Sequence, residues 1–96
     1  QVAIDPKTNQ VINGTVPFQT KQVMKNIEAV LTKAELSFSN VVKTTIYLTS
    51  MADFPVVNEI YGKYFTSQFP ARSTVAVSAL PKGVNVEIEV TASYKI

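Results

Sequence analysis

The feature that most constrains this chain is a run near its C-terminus, from Val84 to Tyr94, in which apolar and polar residues alternate strictly. Alternation with a period of two is typical of a β-strand with one face against a core. The apolar positions on this face are Val84, Val86, Ile88, Val90 and Ala92. A strand of this kind requires another layer of structure to cover its apolar face.

A second β-type run, residues 72–77, precedes this strand. The connecting residues 79–83 include a proline and a glycine, which favour a reversal of the chain. We therefore predict that the two runs pair as a hairpin, with Arg72 roughly opposite Glu87 or Glu89.

Arg72 is the only arginine among the nine Lys and Arg residues of the chain. An arginine beside a glutamate has two interpretations. The first is an ordinary cross-strand ion pair, which contributes little to stability when it is exposed. The second is a binding site, because a guanidinium holds a planar carboxylate through two parallel hydrogen bonds and a nearby glutamate can position water or move a proton.

The composition limits the functions that are open to the chain. Its 96 residues, of which 46% are hydrophobic and 17% charged, predict one folded domain over residues 1–96. Since there is no His and no Cys, the usual general base, a thiol nucleophile and the commonest metal ligands are excluded. The net charge of +2 comes from scattered lysines, so nucleic acid is not an indicated partner. No apolar run approaches a membrane span in length, and no signal peptide is visible.

Two helices are predicted before these strands. Thr15 is a suitable N-cap for the first, which extends to about Glu35. Its apolar stripe comprises Val23, Ile27, Val30, Leu31 and Ala34. Asp53 is a suitable N-cap for the second helix, on which Asn58 has no role that the pattern alone assigns. The apolar face of the second helix comprises Val56, Val57, Ile60, Tyr61, Tyr64 and Phe65.

Extended segments complete the pattern. Residues 1–4 predict a short strand, and the turn signals that follow predict a small hairpin or an ordered loop. The β-branched segment from Val41 to Leu48 predicts a central strand. One of its faces holds Val42, Thr44, Ile46 and Leu48, and the other holds Val41, Lys43, Thr45 and Tyr47. Because neither face is wholly polar, we expect helices on one and a partner subunit on the other. The element order predicts an α+β fold with both helices on one face of a mixed sheet.

Four segments of the chain match one known pattern. They are PARST with ALPKGVNVEIEV near the C-terminus, NVVKTTIYLT at residues 40–49, MADF with VNEIY at residues 51–61, and residues 1–8. These resemble the C-terminal signature, the VVKTTVFL strand, the MxDFxxVNxxY helix and the segment after SGQ in the RidA family, also called the YjgF family, of reactive-intermediate deaminases. The resemblance covers nearly the whole chain.

This resemblance implies a chorismate-mutase-like fold and a homotrimer whose sites lie between neighbouring subunits. Members of the family hydrolyse reactive enamines and imines, such as 2-aminoacrylate, to 2-keto acids and ammonia without a cofactor or metal. The implied partner is therefore a small imine or enamine that carries a carboxylate. The implied location is the cytoplasm, with the mitochondrial matrix as an alternative.

The resemblance also implies roles for four residues. The family arginine falls on Arg72, which would bind the substrate carboxylate. The family glutamate falls on Glu87, which would orient or activate water or relay a proton. The family asparagine falls on Asn58, as a polar group of the pocket. A position that is often Cys in the family is Thr74 here, which preserves the size of a substrate-binding side chain.

The sequence departs from the family pattern at its start, and two alternative functions remain open. The family has further strands before the segment at which this sequence begins, so we expect that a longer natural chain is represented incompletely. The first alternative function is a non-catalytic or regulatory protein that holds a small carboxylate in the same cleft. The second is an endoribonuclease or translation inhibitor, which receives little support from a chain without histidine or a basic stripe.

Overall fold

The computed structural model describes residues 1–66 and 69–94 of the chain. Its helices and strands are β1 (Ile4–Asp5), β2 (Gln10–Val11), α1 (Val16–Lys33), β3 (Val41–Leu48), α2 (Phe54–Gly62), β4 (Ala71–Ala76) and β5 (Val86–Ala92). Short 3₁₀ turns at 38–40, 51–53 and 81–83 precede β3, α2 and β5. The predicted connector at 66–69 lies partly outside the described residues. The predicted order of helices and strands is confirmed.

The main sheet has the strand order β4–β3–β5, which places β3 at the centre as predicted. β4 pairs with β3 in parallel, with Arg72 aligned to Thr44. β5 pairs with β3 in antiparallel orientation, with Glu87 aligned to Tyr47. The sheet is therefore mixed, and the predicted α+β class is confirmed.

The predicted hairpin between β4 and β5 is wrong, because β3 lies between these two strands. β3, α2 and β4 form a strand–helix–strand unit, whose crossover makes the two strands parallel. The chain then returns over the end of β3. The Val77 N–H donates to Leu48 O at 2.8 Å, and the Thr49 N–H donates to Asn85 O at 3.2 Å. The turn at Pro81–Gly83 is present, but it belongs to this longer loop.

Both helices pack on one face of the main sheet. Ile46 and Leu48 of β3 are fully buried there, as are Val86 and Ile88 of β5, so the predicted alternation of β5 is confirmed. The helical residues of the same core are Val23, Met24, Ile27, Leu31, Val57 and Tyr61. The helices thus cover the face of β3 that also carries Thr44.

The structure differs from the predicted apolar stripe at Val30 and from the predicted face at Val42. Val30 is 56% exposed, because it borders an open cleft of about 250 Å³ between α1 and β5. The register of β3 against β5 shifts between Val41 and Lys43, which leaves Val42 as an extra residue. Such a bulge interrupts the alternation of faces, so Val41 is buried and Val42 is 42% exposed.

The two helices begin in different ways. Thr15 is the N-cap of α1 as predicted, and its side chain accepts a 3.4 Å hydrogen bond from the Phe18 N–H. Asp53 occupies the N-cap position of α2, but its side chain makes no capping hydrogen bond, so that prediction is wrong. The backbone of Asp53 is already helical, whereas a capping residue is normally extended. Ser50 accepts from the Ala52 N–H at 3.3 Å instead, at the start of the 3₁₀ turn.

The start of the chain is tied to the main sheet and to α1. β1 and β2 form a small antiparallel hairpin, one of the two predicted alternatives. The N-terminal amine of Gln1 donates to Ile88 O at 2.7 Å, and the Ile88 N–H donates to Gln1 O at 3.0 Å. The Asn26 amide donates to Ile4 O at 2.9 Å. Gln1 thus pairs with the outer edge of β5.

Candidate active site

One face of α2 surrounds Arg72. Phe54, Asn58 and Tyr61 follow the i, i+4, i+7 spacing that places side chains on one side of a helix. Arg72 is aligned with Thr44, whose side chain is fully buried on the helix-covered face of the sheet. Aligned residues of neighbouring strands point to the same face, so Arg72 also points towards α2.

The guanidinium of Arg72 is held by one hydrogen bond and two aromatic rings. Its Nη1 donates to Oδ1 of Asn58. Its Cζ lies 5.4 Å from the centroid of the Phe54 ring and 5.4 Å from that of Tyr61, within the range of a cation–π interaction. Within residues 1–66 and 69–94, no carboxylate pairs with Arg72. The positive charge is therefore uncompensated there, and most of the five N–H donors remain available to an anion.

An open cleft of about 380 Å³ lies beside this arginine. It is lined by Arg72, Tyr61, Phe69 and Pro70. Phe69 is 74% exposed, so its ring is accessible to an apolar part of a ligand. A single guanidinium in a mostly apolar wall suits a small ligand that has a carboxylate at one end and an apolar group at the other.

Tyr61 forms the floor of this arrangement. It is buried, and its hydroxyl donates to Oγ1 of Thr44 at 3.1 Å. Burial raises the pKa of Tyr61, an effect that the hydrogen bond with Thr44 and the charge of Arg72 partly oppose. The hydroxyl is therefore protonated at neutral pH and acts as a hydrogen-bond donor.

The raised pKa of Tyr61 predicts a loss of stability at high pH. The folded state holds this proton more tightly than the unfolded state, in which the tyrosine pKa is 10.0. The contribution to stability is therefore complete below pH 10.0 and falls as the pH rises through the folded-state pKa. Denaturant unfolding of the wild type and of Tyr61→Phe, between neutral pH and about pH 11, measures this difference. The free energy of unfolding should fall more steeply in the wild type, and parallel curves would contradict the prediction.

Glu87 lies on the opposite face of the sheet from Arg72. It is aligned with Tyr47 of β3, whereas the adjacent Ile88 is fully buried under the helices. The strands that carry Arg72 and Glu87 are also about 10 Å apart, because β3 separates them. The predicted placement of Arg72 opposite Glu87 or Glu89 is therefore wrong within one chain, and so is the ion pair that would follow from it.

The structure brings the other three predicted site residues to one side of the sheet. Thr74 is half-buried and lies two residues beyond Arg72 on β4, so both side chains point to the helix-covered face. Asn58 contacts Arg72 directly. Its oxygen is engaged with the guanidinium, which leaves its NH₂ group to donate to another partner.

Residues 1–94 match the family model described as Endoribonuclease L-PSP. The chain belongs to the RidA/YjgF/L-PSP family. The human protein named 2-iminobutanoate/2-iminopropanoate deaminase is 48% identical over 92 residues, which cover 96% of this chain and 67% of that protein. Protein DfrA of Myxococcus xanthus is 51% identical over 92 residues, which cover 96% of this chain and 70% of that protein.

A solved structure has the same architecture. YyfA of Yersinia pestis, described as a protein of unknown function of the Rid family, matches with a TM-score of 0.92 at 50% identity, over 96% of this chain and 74% of that chain. The arrangement of two helices on a mixed sheet is thus the RidA-family fold. The family prediction made from the sequence motifs is confirmed.

Two aromatic residues of this RidA-family site were not identified from the sequence. The sequence pattern places Tyr61 on the apolar face of α2 and indicates no role for Phe54. Their signal was present, since both lie within one turn of Asn58 on the same helix face. Phe69 and Pro70 precede β4 and line the cleft only because the sheet brings them back beside α2.

The part of this RidA-family chain that the structure describes offers no candidate metal site. No group of three or more His, Cys, Asp or Glu residues within that part is arranged to hold a metal ion. Among the same residues, neither helix combines the length and apolar character needed to cross a membrane.

Proposed function

We propose that this chain hydrolyses small imines and enamines that carry a carboxylate, such as 2-iminobutanoate and 2-aminoacrylate, to 2-keto acids and ammonia without a cofactor. The observation that carries the proposal is the uncompensated guanidinium of Arg72, held by Asn58 and two rings at an apolar cleft. The human relative named 2-iminobutanoate/2-iminopropanoate deaminase, at 48% identity, supports it.

In this proposal the chain acts first by binding and orienting the substrate. The substrate carboxylate accepts two hydrogen bonds from Arg72, whose position Asn58 sets. Thr74 contacts the substrate next to the carboxylate, and the side chain of the substrate lies against Tyr61 and Phe69. Holding the substrate in this way exposes its C2 carbon to a positioned water molecule.

The reaction requires one water and little covalent chemistry. An enamine is first protonated at C3 to give the imine. Water then adds to C2 of the protonated imine, the C–N bond breaks, and ammonia leaves as the C=O bond forms. Glu87 orients the water, accepts its proton as the water adds, and returns that proton to the nitrogen, which then leaves as ammonia. The hydroxyl group of the adduct loses its proton to water as the C=O bond forms. A group with this acid–base role typically contributes about a hundredfold to ten-thousandfold to the rate.

Arg72 and Glu87 can act on the same substrate only if they come from different chains, since they lie on opposite faces of the sheet. We therefore include a homotrimer with intersubunit sites in the proposal. The face without helices has features of a subunit interface. On that face, half-buried Tyr47 of β3 is aligned with Val75 of β4 on one side and with Glu87 of β5 on the other. Val75 is 41% exposed, so the face presents apolar surface.

A specific observation favours a second candidate, a protein that binds small carboxylates without converting them. Within the described residues of one chain, the cleft has its cation but no carboxylate beside it. Arg72 would be needed for this function, whereas Glu87 would not. The chain offers little support for the ribonuclease activity in the description of its family, because it has no histidine and a net charge of only +2.

The test is release of ammonia and keto acid from imine generated freshly in the assay, compared with spontaneous hydrolysis. The chain should accelerate release, and Arg72→Ala should lower kcat/KM by about a hundredfold, since hydrogen bonds to a charged group are lost. Lys63→Ala is the matched control, because Lys63 is an exposed cation at the end of α2. Absence of acceleration would contradict the enzymatic proposal, and retained keto-acid binding in that case would favour the second candidate.

A further inference from the structure

We propose that Tyr61, anchored by Thr44, is a positioning residue that sets the orientation of the Arg72 guanidinium for carboxylate ligands. The inference rests on the proposed function, in which Arg72 binds the carboxylate. It assigns to a buried core tyrosine an effect on ligand affinity.

The anchor is a hydrogen bond between two buried groups. The hydroxyl of Tyr61 donates to Oγ1 of Thr44 at 3.1 Å, and Thr44 has no exposed surface. Thr44 is also the residue of β3 that is aligned with Arg72 on β4. The pair of strands that positions the arginine backbone therefore also fixes the ring beside its guanidinium.

The ring restricts a side chain that is otherwise exposed. An arginine on a strand has many rotamers, and binding a ligand through it costs the conformational freedom that is lost. The ring of Tyr61, 5.4 Å from Cζ, favours one of these rotamers through cation–π attraction. Restriction before binding lowers that cost and raises affinity.

Tyr61 is better suited to this role than Phe54. Phe54 lies at the same distance from Cζ, but it is the half-buried first residue of α2 and has no polar group to anchor it. Tyr61 is 5% exposed and also packs on Phe65, with a ring-centroid distance of 4.7 Å. The contact with Phe65 supports an ordinary core role as well, so the test must separate positioning from stability.

A double-mutant cycle makes this separation, with 2-oxobutanoate as the ligand and NMR titration as the measurement of Kd. Tyr61→Leu should weaken binding by roughly five- to thirtyfold in the wild-type background. In the Arg72→Ala background the factor should be clearly smaller, because only the direct contact of the ring with the ligand is then lost. Tyr64→Leu is the matched control, because the Tyr64 ring packs at a tilt against Phe38, with a centroid distance of 5.2 Å. This variant should leave Kd unchanged. Tyr61→Phe and Thr44→Val keep the core filled and remove only the anchor, and both should weaken binding in the same direction by a smaller factor.

The outcomes distinguish this inference from the function on which it rests. If Arg72→Ala leaves the affinity for 2-oxobutanoate unchanged, the proposed function and the inference both fail. If Arg72→Ala weakens binding but the Tyr61 and Thr44 variants do not, only the inference is overturned. It is also overturned if the Tyr61 variants weaken binding equally with and without Arg72. If Tyr61→Leu does not fold, Tyr61→Phe and Thr44→Val decide by the same criteria.

Discussion

Glu87→Gln is expected to lower the turnover of 2-iminobutanoate by about a hundredfold to ten-thousandfold while the Kd for 2-oxobutanoate stays unchanged. Gln has nearly the size of Glu and can still hold a water molecule, but it cannot accept the proton that this water must lose. Glu87 is half-buried on the face of the sheet away from Arg72, so its replacement leaves the contacts of the guanidinium in place. Measurement of kcat and Kd on the same preparation checks both parts.

Glu89→Gln is the matched control for this prediction. Glu89 lies on the same face of β5, two residues further along, and is exposed. Its variant should keep full turnover. A large loss of turnover in Glu89→Gln together with normal turnover in Glu87→Gln would contradict the prediction, because it would mean that Glu89 transfers the proton. If the wild type, Glu87→Gln and Glu89→Gln bind 2-oxobutanoate equally well and none of them turns over 2-iminobutanoate, the carboxylate-binding candidate is supported.

A mixture of Arg72→Ala and Glu87→Gln chains is expected to recover about a quarter of the wild-type activity, although each variant alone is nearly inactive. The reason is the placement of the two residues on opposite faces of the sheet. Suppose that each site takes Arg72 from one subunit and Glu87 from its neighbour. When equal amounts of the two variants associate at random, about half of the sites contain an intact Arg72, and about half contain an intact Glu87. The two contributions are independent, so both are intact in about a quarter of the sites.

The measurement compares the activity of two samples. In one, the two variants are refolded together. In the other, they are refolded separately and then mixed under conditions that prevent the exchange of subunits. Native mass spectrometry, with one variant isotopically labelled, reports whether mixed assemblies have formed. Activity that appears only after refolding together would support sites between subunits. Mixed assemblies without recovered activity would rule out a site built from these two residues of neighbouring chains.

Local patterns in the sequence were sufficient for several elements. The alternation along β5 identified its buried residues, because neighbouring positions of a strand point to opposite faces whichever strand pairs with it. Thr15 identified the start of α1, because a capping hydrogen bond involves only residues within one turn. The motifs around Asn58 and Arg72 identified the family, and three of the four predicted site residues lie on one side of the sheet.

Local deviations within elements were not predictable from these patterns. The bulge at Val42 depends on how β3 meets β5, so the alternation in the sequence gave no indication of it. Asp53 has the chemistry of an N-cap, but the 3₁₀ turn before it puts its backbone in a helical conformation. The exposure of Val30 depends on what lies beside the edge of β5, which is a property of the assembled fold.

The sequence by itself therefore determined the order of the elements and most of their apolar faces, which follow from periodicity and capping, and its motifs determined the family. The four candidate site residues remain predictions from the resemblance to that family. Only the tertiary structure decided which strands pair and which residues meet. Proline and glycine between β4 and β5 favour a reversal, but they do not specify whether the strands become neighbours or flank a third. The non-local hydrogen bonds of β3 to both strands determine that β4 and β5 flank it. The same pairing places Arg72 beside α2 and Glu87 on the opposite face of the sheet.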